Sequence, residues 1–198
     1  MVFEFLRLSI DITDEEFNWI YPQNISVLSS KHWSPVAVAK AASEFLIDRP
    51  GARILDIGSG VGKFCMVGAT HTKGHFTGVE QRQHLVELSE KISILHGLRR
   101  VKYLHANITD IDFRDYTGFY FYNSFYENLH PVDKIDDTVR LDAQLYDNYS
   151  VYIVEQLSGL PSGTRFASYY TPSTVVPHSY RLVDSLYDGQ LNFWEKMF

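Results

Sequence analysis

Residues 52–64 read ARILDIGSGVGKF. Ala52 to Ile57 read as a short buried strand. Gly58, Gly60 and Gly62 then arrive at every second position. A backbone stripped of Cβ atoms can take positive φ and lets a ligand approach the main chain closely. A glycine loop directly behind a buried strand is also how the first turn of a βαβ unit reads, so the fold rests on whether strands and helices go on alternating downstream.

They do. GHFTGVE (74–80) reads as a second strand and QRQHLVELSEKISILHG as a helix ended by Gly97. VKYLHAN (101–107) and GFYFYNS (118–124) read as strands three and four, the latter nearly all apolar. DKIDDTVRLDAQLYDNYSVYIVEQLSGL (133–160) is expected to be mostly helical, with a break near Asp147-Asn148, and GTRFASYYT (163–171) to be strand five. SYRLVDSLYDG and QLNFWEKM meet at Asp188-Gly189, a hairpin signal. Upstream, Thr13 and Glu16 fit a capping box for a short helix that Pro22 would stop. Ser34-Pro35 looks like an N-cap followed by a first-turn proline, opening a helix that turns Val36, Ala39, Ala42, Phe45 and Leu46 to one face. The whole is the outline of a doubly wound α/β sheet closed by an antiparallel hairpin. We divide it into an N-terminal helical extension or lid, 1–33, and a main domain, 34–198.

The bulk numbers exclude some classes. At 198 residues one domain with its own core is expected. A net charge of −6 gives no basic footprint for a nucleic-acid backbone. Cys65 is the only cysteine, so no intrachain disulfide can form and a cytoplasmic location is the simplest expectation. No apolar run approaches the ~20 residues that span a bilayer, and MVFEFLRLSIDITDEEF lacks the features of a signal peptide. A monomer without membrane contact is favoured.

The glycine spacing then discriminates among ligands. The dinucleotide fingerprint G-x-G-x-x-G would place its third glycine at Lys63, a long charged side chain. A phosphate-binding P-loop fails as well, because Phe64 stands where Ser or Thr must hold magnesium and no glycine lies five positions before Gly62. Asp56 sets a carboxylate beside the loop, which repels phosphate but suits the ammonium and sulfonium of S-adenosylmethionine (SAM). The second strand ends in Glu80, placed to accept two ribose hydroxyls.

Asp56-x-Gly58-x-Gly60-x-Gly62 with TGVE ending at Glu80 resembles motifs I and II of the class I SAM-dependent methyltransferases. LHANITD (104–110) is similar to their third motif and FYFYNSFYEN (119–128) stands at the place of their fourth. The resemblance covers about residues 34–198 and implies a mostly parallel seven-stranded sheet, helices on both faces, and strand seven antiparallel between strands five and six. It implies SAM as cofactor and S-adenosylhomocysteine as product. The cofactor-binding residues it implies are Asp56, Gly58, Gly60, Gly62, Glu80, Gln81, Asn107 for the adenine amino group, the Ile108 amide for a ring nitrogen, and Asn123 near the transferable methyl. Two departures stand out: Asn107 where an Asp is commoner, and NSFY without the double proline of enzymes that methylate nucleic-acid bases.

Asn123 and Tyr126 are the candidates to orient and wall in an acceptor; a polar strand end and a packed aromatic explain them equally well. Trp33 could lid the cofactor or simply pack. The acceptor is unidentified, with a protein side chain (lysine among them) or a small molecule favoured over nucleic acid. The alternative function is a non-catalytic SAM-binding module acting through protein contacts. No metal is expected, since His71 and His75 flank Gly74 at the start of a strand. Gly60→Val is expected to exclude the ligand while leaving the fold intact.

Overall fold

The computed structural model describes residues 2–198. Four short helices come first: α1 Val2–Arg7, α2 Asp14–Asn18, α3 Gln23–Ser26 and α4 Ser29–His32. Alternation then begins with α5 Val36–Leu46, β1 Arg53–Ile57, α6 Lys63–His71, β2 His75–Glu80, α7 Gln83–Leu95 and β3 Val101–His105. It continues through β4 Gly118–Phe121, α8 Ala143–Ser158 and β5 Arg165–Tyr169, and closes with the hairpin β6 Tyr180–Leu186 and β7 Leu191–Lys196.

The seven strands lie in the order β3-β2-β1-β4-β5-β7-β6. The first five are parallel, and β7 runs antiparallel to both β5 and β6. Period-two alternation sorts β1 between two cores. Ile54 joins the apolar cluster under α5, α6, α7 and the N-terminal helices, while Leu55 and Ile57 join the cluster under α8. Asp56 therefore shares the Ile54 face, which turns its carboxyl toward α6.

The hairpin and the capping box form where the sequence puts them. Tyr187, Asp188 and Gly189 all take positive φ in the turn, and Thr13 and Glu16 each accept the other's backbone N–H at the start of α2. Two local expectations are corrected. Ser34 does not cap α5; Pro35 holds that position, and the Ser34 hydroxyl instead pairs with the Tyr120 hydroxyl at 2.7 Å. Of the stretch 133–160 only Ala143–Ser158 is α-helical, and it runs unbroken through Asp147 and Asn148. Asp142 starts it by accepting from the Gln144 amide, so the true start signal lies nine residues beyond Asp133.

The N-terminal helices are not peripheral. Phe3, Leu6, Phe17, Tyr21, Ile25 and Trp33 are buried in the same cluster as α5 and α6. Among the described residues no helix is long and apolar enough to cross a membrane.

Candidate active site

The sheet reverses its direction of growth between β1 and β4, and open α/β sheets bind ligands outside the carboxyl ends of the strands at such a point. A cavity of about 640 Å³ opens there, inside the size range of cofactor sites. Its walls come mainly from the segment Ser30–Ser34, the loop after β1, the end of β2 and the loop after β4, with Ala106 and Ile108 after β3 and Tyr170 after β5.

Hydrogen bonds fix the loop after β1. The Ser59 amide donates to the Val79 carbonyl at 2.9 Å and the Gly62 amide to the Ser59 carbonyl at 2.8 Å. Gly60 has φ 52°, and a Cβ there would collide with the Trp33 ring. One on Gly58 would meet Ser124. Gly60 therefore admits a tryptophan from the N-terminal segment, which corrects the expectation that Gly60→Val would spare the fold. Gly62 caps α6 with φ 71° against the Tyr103 ring and shapes the turn without lining the cavity.

Glu80, at the tip of β2, is buried. Its Oε2 accepts from the Gly60 amide and its Oε1 from the Arg82 amide, both at 3.0 Å. Burial pushes this carboxyl up, against the two amides and the Arg82 charge, which pull it down. A carboxylate offers about four acceptor sites, so two remain for a ligand after the loop is held. Asp56 is more strongly displaced. Burial raises it from 3.8 to about 7, opposed by the Cys65 thiol that donates to Oδ2 at 3.4 Å and reinforced by the Glu80 charge.

Arg82 carries no local signal in the chain. Its buried guanidinium reaches Glu127 Oε2 at 2.8 Å, Asp136 Oδ1 at 3.1 Å and Glu80 Oε1 at 3.6 Å. It therefore joins the β2 tip to the loop that follows β4. Lys63, the residue that disqualified a dinucleotide site, is buried as well: its Nζ contacts Asp14 Oδ1 at 2.6 Å and Asn18 Oδ1 at 3.3 Å, over the Phe17 ring. It pins α2 to the start of α6.

Across the cavity, Asn123 takes a left-handed conformation with φ 35°. Its carbonyl accepts from the Tyr126 amide, and its side-chain Oδ1 is buried with no partner among the described residues. Ser59 Oγ is unpartnered in the same way. Tyr126 is 46% exposed and stacks on His130. Gln81 and Ile108 line the cavity. Asn107 does not; its Oδ1 accepts from Thr109 and its Nδ2 donates to the Tyr149 hydroxyl at 2.8 Å. For Asn107 Oδ1 to accept from an adenine amino group, that side chain would have to leave these partners. Among the described residues no group of three or more His, Cys, Asp or Glu is arranged to hold a metal.

Residues 48–137, which span the glycine loop, the Glu80 strand and Asn123, match a family model described as a methyltransferase domain. That match is to a segment of the chain, and it joins the glycine loop to the loop after β4. Solved structures similar in shape agree on the fold. TrmN from Thermus thermophilus is 17% identical with a TM-score of 0.61, over 86% of this chain and 51% of that one. An RNA methyltransferase from Salinibacter ruber, in complex with S-adenosyl-L-homocysteine, is 20% identical with a TM-score of 0.57, over 83% and 93%. The [4+2]-cyclase SpnF is 18% identical with a TM-score of 0.52, over 67% and 43%. This chain thus spans about half the length of TrmN, and less of SpnF. No curated protein matches it by sequence. What these structures share with this chain is the fold.

Proposed function

We propose that the protein transfers a methyl group from SAM to an acceptor bound beside Asn123. The observation that carries this reading is Glu80: a buried carboxylate that holds the Gly60 amide and keeps acceptor capacity at the mouth of a 640 Å³ cavity. The residues present suit the cofactor. Glu80 has lone pairs for two ribose hydroxyls, Asp56 has a carboxyl for the ammonium group, and Ser59 Oγ and Asn123 Oδ1 are buried polar atoms awaiting partners.

When bound, SAM supplies a methyl group activated by a positively charged sulfur. The protein's share is placement and exclusion of water. Holding two reactants in line is worth up to ~7–11 kcal/mol of barrier, and Trp33, Tyr122 and Tyr126 wall the space in which that occurs. Asn123 Oδ1 is suited to accept a hydrogen bond from an acceptor N–H, and Tyr126 forms the side of that subsite. We favour a protein side chain, lysine among them, or a small molecule. The net charge of −6 and the absence of a double proline after Asn123 weigh against a nucleic-acid base. We further propose that residues 1–33 serve as the extension that covers the glycine loop, through Trp33. The non-catalytic alternative gains nothing from a cavity that joins the cofactor side to an open acceptor side.

Calorimetry tests the cofactor half. SAM and S-adenosylhomocysteine should bind in the micromolar range, and NAD and ATP should not; tighter binding of NAD would overturn the reading. Transfer of tritium from methyl-labelled SAM to a panel of amine, peptide and phenol acceptors tests the other half.

A further inference from the structure

Methylating an N–H or O–H acceptor releases a proton, and a water-poor cavity must provide somewhere for it to go. Most ionisable side chains that line the cavity are already engaged. Asp56 is held by Cys65, and Glu80 by two amides. Glu127 is held by Arg82 and the Ile135 amide, and Asp133 by Lys31 at 2.7 Å. Lys63 is paired with Asp14.

Among the acids, lysines, arginines and histidines that line the cavity, His32 is the exception. It ends α4, is half-buried, and lines the cavity. Among the described residues its ring nitrogens have no hydrogen bond or ion pair, and its ring contact is with Trp33. The main chain there is tied to the acceptor side, because the Tyr122 hydroxyl donates to the Lys31 carbonyl and the Lys31 ammonium meets Asp133.

We propose that His32 is the base that receives the acceptor's proton, so that the acceptor class is one bearing an N–H or O–H. The proposal rests on the methyl-transfer reading above. In the step, a lone pair on the acceptor nitrogen or oxygen forms the new bond to carbon, the carbon–sulfur bond breaks with its electron pair passing to sulfur, and the acceptor's proton passes to the imidazole. His32 then returns that proton to solvent. Burial and the Arg82 and Lys31 charges hold the imidazole below its ordinary range, against Glu127 and Asp133, which raise it, so it stands neutral and able to accept.

The test uses two cofactor ligands that differ only where the methyl would be: S-adenosylhomocysteine, and an analogue in which a carbon bearing a primary amine replaces the S-methyl centre. His32 is followed by NMR of labelled imidazole. The analogue's ammonium should lower the His32 midpoint by about half a pH unit or more relative to the S-adenosylhomocysteine complex. H32Q should bind S-adenosylhomocysteine within about twofold of wild type. Equal midpoints in the two complexes, a charged His32 at pH 7, or loss of S-adenosylhomocysteine binding in H32Q would overturn the proposal. Failure of both ligands to bind wild type would instead remove the cofactor reading itself, and this inference with it.

Discussion

Asp56 is a carboxyl whose charge depends on what lies beside it. With its folded value raised to about 7 from 3.8, the folded protein keeps a proton there that the unfolded chain has already lost across that interval. Stability is therefore full below about pH 3.8 as far as this group is concerned, declines as pH rises toward 7, and stays reduced above it, by an amount on the order of a few kcal/mol. Asp56→Asn should flatten that slope, which urea titrations at pH 5 and pH 8 would read. A cationic ligand stabilises the ionised form. SAM binding should consequently release a proton near neutrality, measurable as a dependence of the calorimetric heat on buffer ionisation enthalpy. At Glu80 the loss of function has two sources, since the carboxylate holds the Gly60 amide besides any ribose. Glu80→Ala should weaken SAM by at least about tenfold, or ~1.4 kcal/mol. Glu80→Gln should fall between, because its NH2 would face one of the two amides.

At the scale of elements, the N-terminal helices are clamped to the glycine loop and α6 by Trp33 against Gly60 and by Lys63 against Asp14. Gly60→Ala should cost both melting temperature and SAM affinity, since it brings a strained φ and a collision. Trp33→Ala alone should loosen the same contact, and the two changes together should cost less than their sum, as contacting residues do. Removing one partner of a buried ion pair is worse than removing both charges. Asp14→Ala strands the buried Lys63 ammonium and should therefore destabilise more than Lys63→Met, with equilibrium unfolding as the readout.

These clamps mark the limit of what was legible in the sequence. The glycine loop, the strand that ends in Glu80, the Thr13–Glu16 box and the Asp188-Gly189 turn are legible because each is local in the chain, and the family resemblance adds the place of strand seven between strands five and six. The roles of Ser34, Arg82 and His32 are not legible. Ser34 looked like a cap because its partner Tyr120 lies 86 positions away, and Arg82 meets Glu127 at a separation of 45. A residue type at a fixed spacing cannot reveal a partner brought up by the topology. Asn123 and Tyr126 were legible as positions at the end of strand four, but their chemistry depends on what the acceptor brings.

For the molecule as a whole, the cavity draws on segments from Ser30 to Tyr170, so a ligand that fills it ties together much of the chain. S-adenosylhomocysteine at one hundred times its dissociation constant should add about 2.7 kcal/mol of stability, and should slow amide exchange in residues 29–34 and 123–136 together. Deleting residues 1–33 should leave an insoluble or molten product rather than a smaller domain, because it exposes the face that Phe3, Leu6, Phe17 and Trp33 bury; analytical ultracentrifugation would decide.

The position of β7 has a consequence for biosynthesis. It pairs on one side with β5 and on the other with β6, so an interior place in the sheet is filled by residues 191–196. While the chain is being made, β5 waits with one edge unpaired until the ribosome has released a segment some 20 residues further on. Through that interval β6 has no sheet to join either. A nascent chain stalled before Leu191 would thus expose a sticky strand edge, and the vectorial order of synthesis makes this end of the sheet the part that chaperones would have to guard.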